Sequence, residues 1–432
     1  MRISTIQAFN NGVTGIQRNY ANATRTQEQI STGNRILTPA DDPVASVRLL
    51  QLEQQQNVLT QYKDNLTAAK NSLNQEEVTL NSVNIVLQRV RELTVQAGNG
   101  TLDNNGRKAI AAELGERENE LLSLMNTRNA RGEYLFSGFQ GKTQAFVRNG
   151  DGTYSYQGDE GQRKLQIASS RDLPISDNGK KIFQNITNAG RLSLTDTAVP
   201  PAAVSTGTIS GMLVEDEVAF AGFPANGVQL VFDAVDPLNY TLSPVITPGV
   251  PADPLDPSSV ETPAVLGTAT TGRLEQGKDT LVHYQGVAFY VNGAPTAGTS
   301  FTIAGPDADP ASPPPNKVGI LDTIASLRST LENSATGPQV RDAVALALTN
   351  LDHGMTTVDG VRGEIGARLN VVETTQIDNE DVTLVNKSVQ AGLRELDYAE
   401  ALSRLSFQTI ILEAAQQSYV KIAGLSLFNQ LR

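Results

Sequence analysis

Two adjacent carboxylates, Asp41 and Asp42, are the first residues whose types could support chemistry, because paired carboxylates can bind a cation or exchange protons. They lie in STGNRILTPADDPVAS, residues 31–46, between Pro39 and Pro43. No histidine or cysteine is near them in the sequence to complete a metal site. Asp42 instead matches the N-cap of a following helix, with Pro43 at its first position, and both carboxylates favour the positive end of the helix dipole. We interpret the segment as a helix cap and predict no metal and no catalytic group there.

The rest of the sequence contains no motif typical of an enzyme. The two histidines, His283 and His353, are far apart, and no motif accompanies either. Cysteine is absent, which excludes disulfides, thiolate metal ligands and cysteine nucleophiles. Nucleotide-binding, serine-hydrolase and zinc-peptidase motifs are also missing from the sequence. The prediction is a protein that is not an enzyme and uses no cofactor.

Length and charge limit the classes of partner. The 432 residues are too many for one ordinary domain. The net charge of −12 disfavours binding to nucleic-acid phosphates, which requires a basic surface. The start, MRISTIQAFNNGVTG, lacks the apolar core of a secretory signal, and no apolar run reaches membrane-spanning length. We expect no nucleic-acid partner, no membrane insertion and no Sec-type export.

Helical periodicity marks both ends of the chain. Apolar residues from Ile3 to Ile30 advance in steps of three and four, and a similar stripe runs from Val389 to Ala423. Between them in the sequence, six leucines repeat every seven residues in a helix predicted over 43–97. These bundle-seam residues are Leu52, Leu59, Leu66, Leu73, Leu80 and Leu87. A DNA-binding zipper needs a basic region before the leucines, and PADDPVASVRLLQ is not basic, so we favour packing within the chain.

The middle of the chain changes from helix to strand. Asn149-Gly150-Asp151-Gly152 is typical of a hairpin turn. Most of the 20 prolines lie between Pro200 and Pro315, and this density excludes long helices. We predict a mainly α fold with a β-rich insertion, the terminal helices being paired in a long coiled-coil-like bundle. The predicted domains are a terminal helical inner core (1–42 and 390–432), a helical bundle with β hairpins (43–182 and 318–389), and a β-rich outer insertion (183–317).

Several stretches resemble the flagellin superfamily. STGNRILTPADDPVA resembles the segment that joins the two N-terminal helices of bacterial flagellins, and RELTVQAGNGTLDNNGRKAIAAELGERENELLSL continues the match. NTRNARGEYLFSGF and YSYQGDEGQRKLQI are similar to the type 3 hook-associated branch of that superfamily. The C-terminal stretches GEIGARLN and KIAGLSLFNQL are similar to the same branch. The resemblance covers residues 1–185 and 318–432.

The resemblance implies a structural subunit of the extracellular bacterial flagellum at the hook–filament junction, exported by the type III route. It implies these partners: further copies in a ring, the other hook-associated junction protein on the hook side, flagellin on the filament side, and an export chaperone. The residues expected to pack between subunits are Ile3, Ile6, Phe9, Val13, Ile16, Tyr20, Leu412, Tyr419, Leu425, Leu427 and Phe428. The implied helix elbow and cap consists of Arg35, Pro39, Asp41, Asp42 and Pro43.

Other functions remain as alternatives at this point. Filament flagellin is the main competitor, because it shares the N-terminal helices. A secreted coiled-coil adhesin could use the β-rich insertion, and a Sec signal or membrane anchor would support that reading. An enzyme sited in the insertion would require a pocket with clustered titratable groups.

Overall fold

The computed structural model describes residues 5–196, 209–248, 264–293, 295–305, 315–333 and 335–430. The helices in these ranges are α1 (Thr5–Thr32), α2 (Pro43–Ala97), α3 (Asn104–Met125), α4 (Glu217–Phe220), α5 (Ile320–Glu332), α6 (Gly337–Arg394) and α7 (Tyr398–Gln430). The chain divides into two compact units. Unit 1 comprises Met1–Thr67, Gln166–Arg171 and Val372–Arg432, and unit 2 comprises Ala68–Leu165 and Asp172–Val371.

Unit 1 contains the pair of terminal helices, α1 and α7. The pair is antiparallel: the rings of Phe9 and Tyr419 lie 5.2 Å apart, and Gly33, just after the end of α1, lies next to Tyr398 at the start of α7. Gly12 allows the close approach of the two helices, because an added Cβ there would lie 3.1 Å from Cδ2 of Tyr419. The predicted pairing of the terminal helices in a flagellin-like bundle is confirmed.

The stripe predicted from Val389 to Ala423 is divided between two helices. Helix α6 ends at Arg394 and α7 begins at Tyr398. The break forms because the backbone here pairs with another segment: Leu396 N donates to Gly33 O at 3.0 Å. The Asp397 carboxylate then accepts from Ala399 N at 2.9 Å, in the manner of an N-cap for α7.

In unit 2, the second half of α2 lies antiparallel to the first half of α6. Three side-chain links join the helices, and residue numbers fall on α6 as they rise on α2. The links are Glu77 with Arg362 at 2.9 Å, Asn84 with Asp359 at 3.0 Å, and Arg91 with Asp352 at 2.7 Å. Helices α3 and α5 pack together beside them, joined by a 2.9 Å ion pair between buried Glu118 and Arg328.

The strands of the described residues form small pairs and two larger sheets. The pairs are β1 (Phe146–Arg148) with β2 (Tyr154–Tyr156), β3 (Lys164–Ala168) with β4 (Arg171–Pro174), and β5 (Ile186–Thr187) with β15 (Lys317–Val318). Between β1 and β2, Gly152 has a φ of +88° and its N–H donates to Asn149 O, as the predicted hairpin turn requires. A π-helical turn, Lys180–Gln184, precedes β5.

The two larger sheets lie within the insertion. The first sheet has the order β10-β9-β8-β14-β6 with β11 also on β9, and the second has the order β12-β13-β7. Their bounds are β6 (Ser193–Asp196), β7 (Ile209–Val214), β8 (Val228–Phe232), β9 (Asn239–Thr247), β10 (Val265–Leu266), β11 (Thr270–Arg273), β12 (Thr280–Tyr284), β13 (Val287–Val291) and β14 (Ser300–Ala304). Side chains from both sheets, including Leu230, Phe289 and Ile303, form one buried cluster, so the insertion has its own core.

Candidate functional site

The terminal helix pair exposes several large apolar side chains. Tyr20 of α1 is 63% exposed and Phe407 of α7 is 69% exposed. The other exposed members of this terminal apolar surface are Phe9, Leu402, Ile410, Ile411, Val420 and Ile422. Burying one such side chain contributes about 1.5–3 kcal/mol. Exposed apolar surface of this extent is typical of a region that a partner covers.

The predicted packing residues are distributed over both helices of this pair. Val13, Ile16, Leu412 and Tyr419 are half-buried, whereas Phe9 and Tyr20 are exposed. Ile3 lies outside the described residues. The side chains of Ile6, Leu425, Leu427 and Phe428 lie outside the description as well. Their role in subunit packing stays a prediction.

The two carboxylates of the elbow have different hydrogen-bond partners. Asp42 Oδ1 accepts from Ala45 N at 3.0 Å, which satisfies one free N–H group in the first turn of α2. Asp41 accepts from the preceding turn instead, from Leu37 N at 2.9 Å and Thr38 N at 3.0 Å. It also forms an ion pair with Arg25 of α1. The arrangement fixes the direction of the chain between α1 and α2.

The elbow is anchored to the break between α6 and α7. Arg35 N donates to Arg394 O at 2.8 Å, and the Arg35 guanidinium donates to Leu393 O at 3.1 Å. Asn34 Oδ1 accepts from Arg394 Nε at 2.9 Å. Gly33 has a φ of +70°, and an added Cβ would lie 2.9 Å from the Tyr398 hydroxyl oxygen. The first of these two bends follows from the sequence, whereas the second does not, because the three-and-four spacing of apolar residues continues across it from Leu393 through Leu396 to Ala399.

The seam leucines become more buried along α2. Leu52 is half-buried, and the five from Leu59 to Leu87 are buried. Val83 and Val90, which each lie three residues after a seam leucine, are buried as well. Glu76 occupies the equivalent position after Leu73, so a carboxyl group lies among apolar side chains.

Glu76 belongs to a buried charged cluster in unit 2. Asp177, which follows β4, donates its N–H to Glu76 Oε1 at 3.1 Å, and its carboxylate forms an ion pair with Arg368 of α6 at 2.7 Å. Burial, and secondarily the charge of Asp177, raises the pKa of Glu76 to about 8. Glu76 is therefore mostly protonated at neutral pH. The sequence signal was that Glu76 is the single charged residue among the positions three residues after the seam leucines.

Arg341, in the first turns of α6, contacts the insertion. Its guanidinium carbon lies 3.5 Å from the centroid of the Tyr290 ring. Its nitrogens bond to Asp279 Oδ2 at 2.8 Å and to Asn292 Oδ1 at 3.0 Å. These contacts join a helix of unit 2 to β13 and to the loops that follow β11 and β13, and thereby orient the insertion on the helix.

Neither histidine lies in a catalytic arrangement. His353 Nδ1 is 2.9 Å from Thr187 O, and His283 Nδ1 is 3.4 Å from Glu215 Oε2 at the surface. Over the described ranges, no group of three or more His, Cys, Asp or Glu side chains is placed to hold a metal ion. None of the helices, as far as their residues are described, is long and apolar enough to cross a membrane.

Comparison with known proteins connects these features to a protein class. Residues 3–141 match the family described as bacterial flagellin N-terminal helical region. Flagellar hook-associated protein 3 of Salmonella typhimurium is 34% identical over 188 residues, which is 44% of this chain and 58% of that relative's length. The crystal structure of hook-associated protein 3 from Legionella pneumophila has a TM-score of 0.59 and 26% identity, covering 79% of this chain and 98% of that chain.

The matched helical region and the fold are similar to those of flagellin-like proteins. Within that class the chain resembles hook-associated protein 3. A second structure, described as the flagellar junction protein FlgL from Legionella pneumophila, agrees, with a TM-score of 0.55 and 27% identity over 80% of this chain and 99% of that one. The predicted resemblance to the type 3 hook-associated branch is confirmed.

Proposed function

We propose that the chain is a structural subunit of the bacterial flagellum that joins the hook to the filament. The relatives reported above are structural flagellar proteins, not enzymes, and one structural relative is described as a flagellar junction protein. The observation that carries the proposal is the terminal apolar surface on α1 and α7. A helix pair that leaves Tyr20 and Phe407 in water is suited to assembly with neighbouring subunits.

We further propose that the three predicted domains have separate roles in the assembled flagellum. The terminal helices (1–42 and 390–432) form the inner contacts, and the bundle (43–182 and 318–389) forms the surrounding layer. The insertion (183–317) lies outermost. The elbow sets the direction between the first and second parts. The proposed partners are further copies in a ring, the other junction protein on the hook side, flagellin on the filament side, and a chaperone before export.

Electron microscopy of a deletion strain tests the proposal. We expect intact hooks without filaments, while flagellin is still exported into the medium. Reintroducing the chain should restore the filaments. Hooks that still carry filaments would contradict the junction role, and filaments built from this chain would support filament flagellin.

Point variants test whether the junction role depends on the terminal apolar surface. Phe407→Asp should fail to restore filaments, because a charge cannot be buried there without a partner. Val235→Asp, at a 94% exposed position of the insertion, is the matched control and should restore them. Equal levels of both exported variants must be shown by immunoblot. If exported Phe407→Asp fully restored the filaments, the terminal apolar surface would no longer support the junction role.

A further inference from the structure

Seven asparagines in the described ranges are followed directly by glycine: Asn11, Asn99, Asn105, Asn149, Asn178, Asn226 and Asn292. In such a pair the backbone nitrogen of glycine can attack the side-chain carbonyl carbon of asparagine. The attack closes a five-membered succinimide and expels the side-chain nitrogen as ammonia. Glycine has no Cβ to shield its nitrogen. The reaction still requires a glycine N–H that is not held in a hydrogen bond and a side chain that is free to react.

The hydrogen bond of the glycine N–H distinguishes the pairs that are held from those that are free to react. In most of the pairs an acceptor holds the glycine N–H. The acceptors are Asp103 Oδ1 for Gly106, Phe136 O for Gly179, Pro224 O for Gly227 and Asp279 Oδ1 for Gly293. Gly12 lies inside α1, where its N–H belongs to the helical ladder. Within the described part of the chain, Gly100 and Gly150 make no such bond from their N–H groups.

The side chains then separate Asn99 from Asn149. Asn149 is held at both ends: its Nδ2 donates to Thr153 Oγ1 at 2.9 Å, and its Oδ1 accepts from Ser155 Oγ at 3.1 Å. Asn99 is exposed in the turn after α2, and in the described structure its Nδ2, the leaving group, has no acceptor. Its Oδ1 accepts from Thr101 N at 3.1 Å and Thr101 Oγ1 at 2.9 Å. Negative charge develops on this oxygen during the attack, so the two donors favour the reaction.

We propose that Asn99 is a site of spontaneous covalent modification, at which Gly100 N closes a succinimide that water opens to aspartate or isoaspartate. The bond from Gly100 N to Asn99 Cγ forms and the bond from Cγ to Nδ2 breaks. The leaving nitrogen takes up one proton, which balances the proton lost from Gly100 N, and departs as ammonia. One water molecule then attacks either ring carbonyl carbon and breaks its bond to the ring nitrogen: loss of the bond to Cγ gives aspartate, and loss of the bond to the main-chain carbonyl carbon of Asn99 gives isoaspartate. The net change exchanges ammonia for water. No enzyme, oxidant or cofactor takes part.

The modification changes the turn that joins α2 to α3. Either product places a carboxylate just beyond the carbonyl end of α2, where the helix dipole disfavours negative charge. Isoaspartate also lengthens the main chain by one methylene. The lengthening occurs between two backbone bonds, Asn99 N to Gln96 O and Leu102 N to Asn99 O, both 3.1 Å long. The effect is local and separate from the proposed role in assembly.

Incubation of the purified full-length chain in mildly alkaline buffer, followed by peptide mass mapping, tests the proposal. We expect the Asn99 peptide to gain the mass difference between water and ammonia before any other Asn-Gly peptide. It should resolve into two chromatographic products. Asn149 is the internal control, because it shares the free glycine N–H. Conversion of Asn99 no faster than that of Asn149 would overturn the proposal.

Gly100→Ala is the matched variant. An added Cβ there meets no atom within 4 Å, so the fold should be retained, while the new methyl group shields the nucleophilic nitrogen. We expect loss of conversion at Asn99 and no change at Asn149. Thr101→Val removes one donor to Oδ1 and should slow conversion at Asn99 alone. Undiminished conversion in Gly100→Ala would show that cyclisation by Gly100 is not the route.

Discussion

Asp42 provides the clearest prediction for a single residue. Its carboxylate satisfies Ala45 N at the start of α2, so Asp42→Ala should lower the free energy of unfolding by about 0.5–2 kcal/mol. Asp42→Asn keeps a side-chain acceptor and should retain most of the stability. Chemical denaturation of the three proteins makes the comparison. Equal losses in both variants, or a stoichiometric metal found by elemental analysis, would contradict the cap.

Glu76 makes the stability depend on pH. Its pKa is about 8 in the folded chain against an ordinary value of 4.5. Between these values the folded chain keeps a proton that the unfolded chain releases. Stability therefore falls as pH rises from 4.5 to about 8, by at most roughly 1.4 kcal/mol per pH unit from this group. Above pH 8 this contribution is constant.

The variant Glu76→Gln isolates this effect from other titrations. It keeps an acceptor for Asp177 N and cannot ionise beside the Asp177 carboxylate. The melting temperature of the variant should therefore increase relative to that of the wild type as pH rises. Glu92→Gln, an exposed change on the same helix, is the control and should leave the profile unchanged. Parallel profiles of Glu76→Gln and the wild type would show that Glu76 titrates normally.

Among the elements, the second half of α2 depends on its leucine seam. Leu73→Ala should cost about 2–5 kcal/mol, because the side chain is fully buried and leaves a cavity. Val78→Ala, at a 66% exposed position of the same helix, should change stability by no more than about 0.5 kcal/mol. Thermal denaturation followed by circular dichroism compares the two. Similar melting temperatures would place the seam outside the core.

Arg341 should control how firmly the insertion is held to helix α6. Arg341→Ala removes the ring contact with Tyr290 and the ion pair with Asp279 together. We expect faster limited proteolysis near residues 209–293, with little loss of helicity. Arg341→Lys keeps the charge but loses the planar, multiply bonded geometry, so it should give an intermediate rate. If Arg341→Ala were cleaved at the wild-type rate, other contacts would be sufficient to hold the insertion to α6.

At the scale of elements, local sequence patterns predicted the bounds of helices. They did not predict the contacts between segments that are distant in the sequence. The bounds of α2 follow from Pro43, the leucine repeat and the glycines after Ala97, and all of these signals are local. The break before Tyr398 depends on backbone pairing with Gly33, far away in the sequence, so periodicity alone passed over it. The ion pair of Asp177 with Arg368 likewise requires the folded chain.

At the scale of the whole molecule, burial is uneven between the two units. Unit 2 begins at Ala68 in α2, so it contains the fully buried leucines Leu73, Leu80 and Leu87 but not Leu66. It also contains the core of the insertion. In unit 1, the terminal helices bury Ala23 and Thr26 but leave Tyr20 and Phe407 exposed. Ordering a residue costs about 1–2 kcal/mol of backbone entropy, which a thinly packed helix pair offsets poorly.

We therefore expect the terminal helices of the free monomer to open readily and to become protected on assembly. Hydrogen exchange at low concentration should show fast exchange across residues 5–30 and in α7, with slow exchange in α2 beyond Ala68. The α2 segment serves as the internal reference, since Leu73, Leu80 and Leu87 are fully buried there. Adding hook fragments should slow exchange in the terminal helices alone. Strong protection across residues 5–30 in the dilute monomer would instead indicate a preformed helix pair, stable without neighbouring subunits.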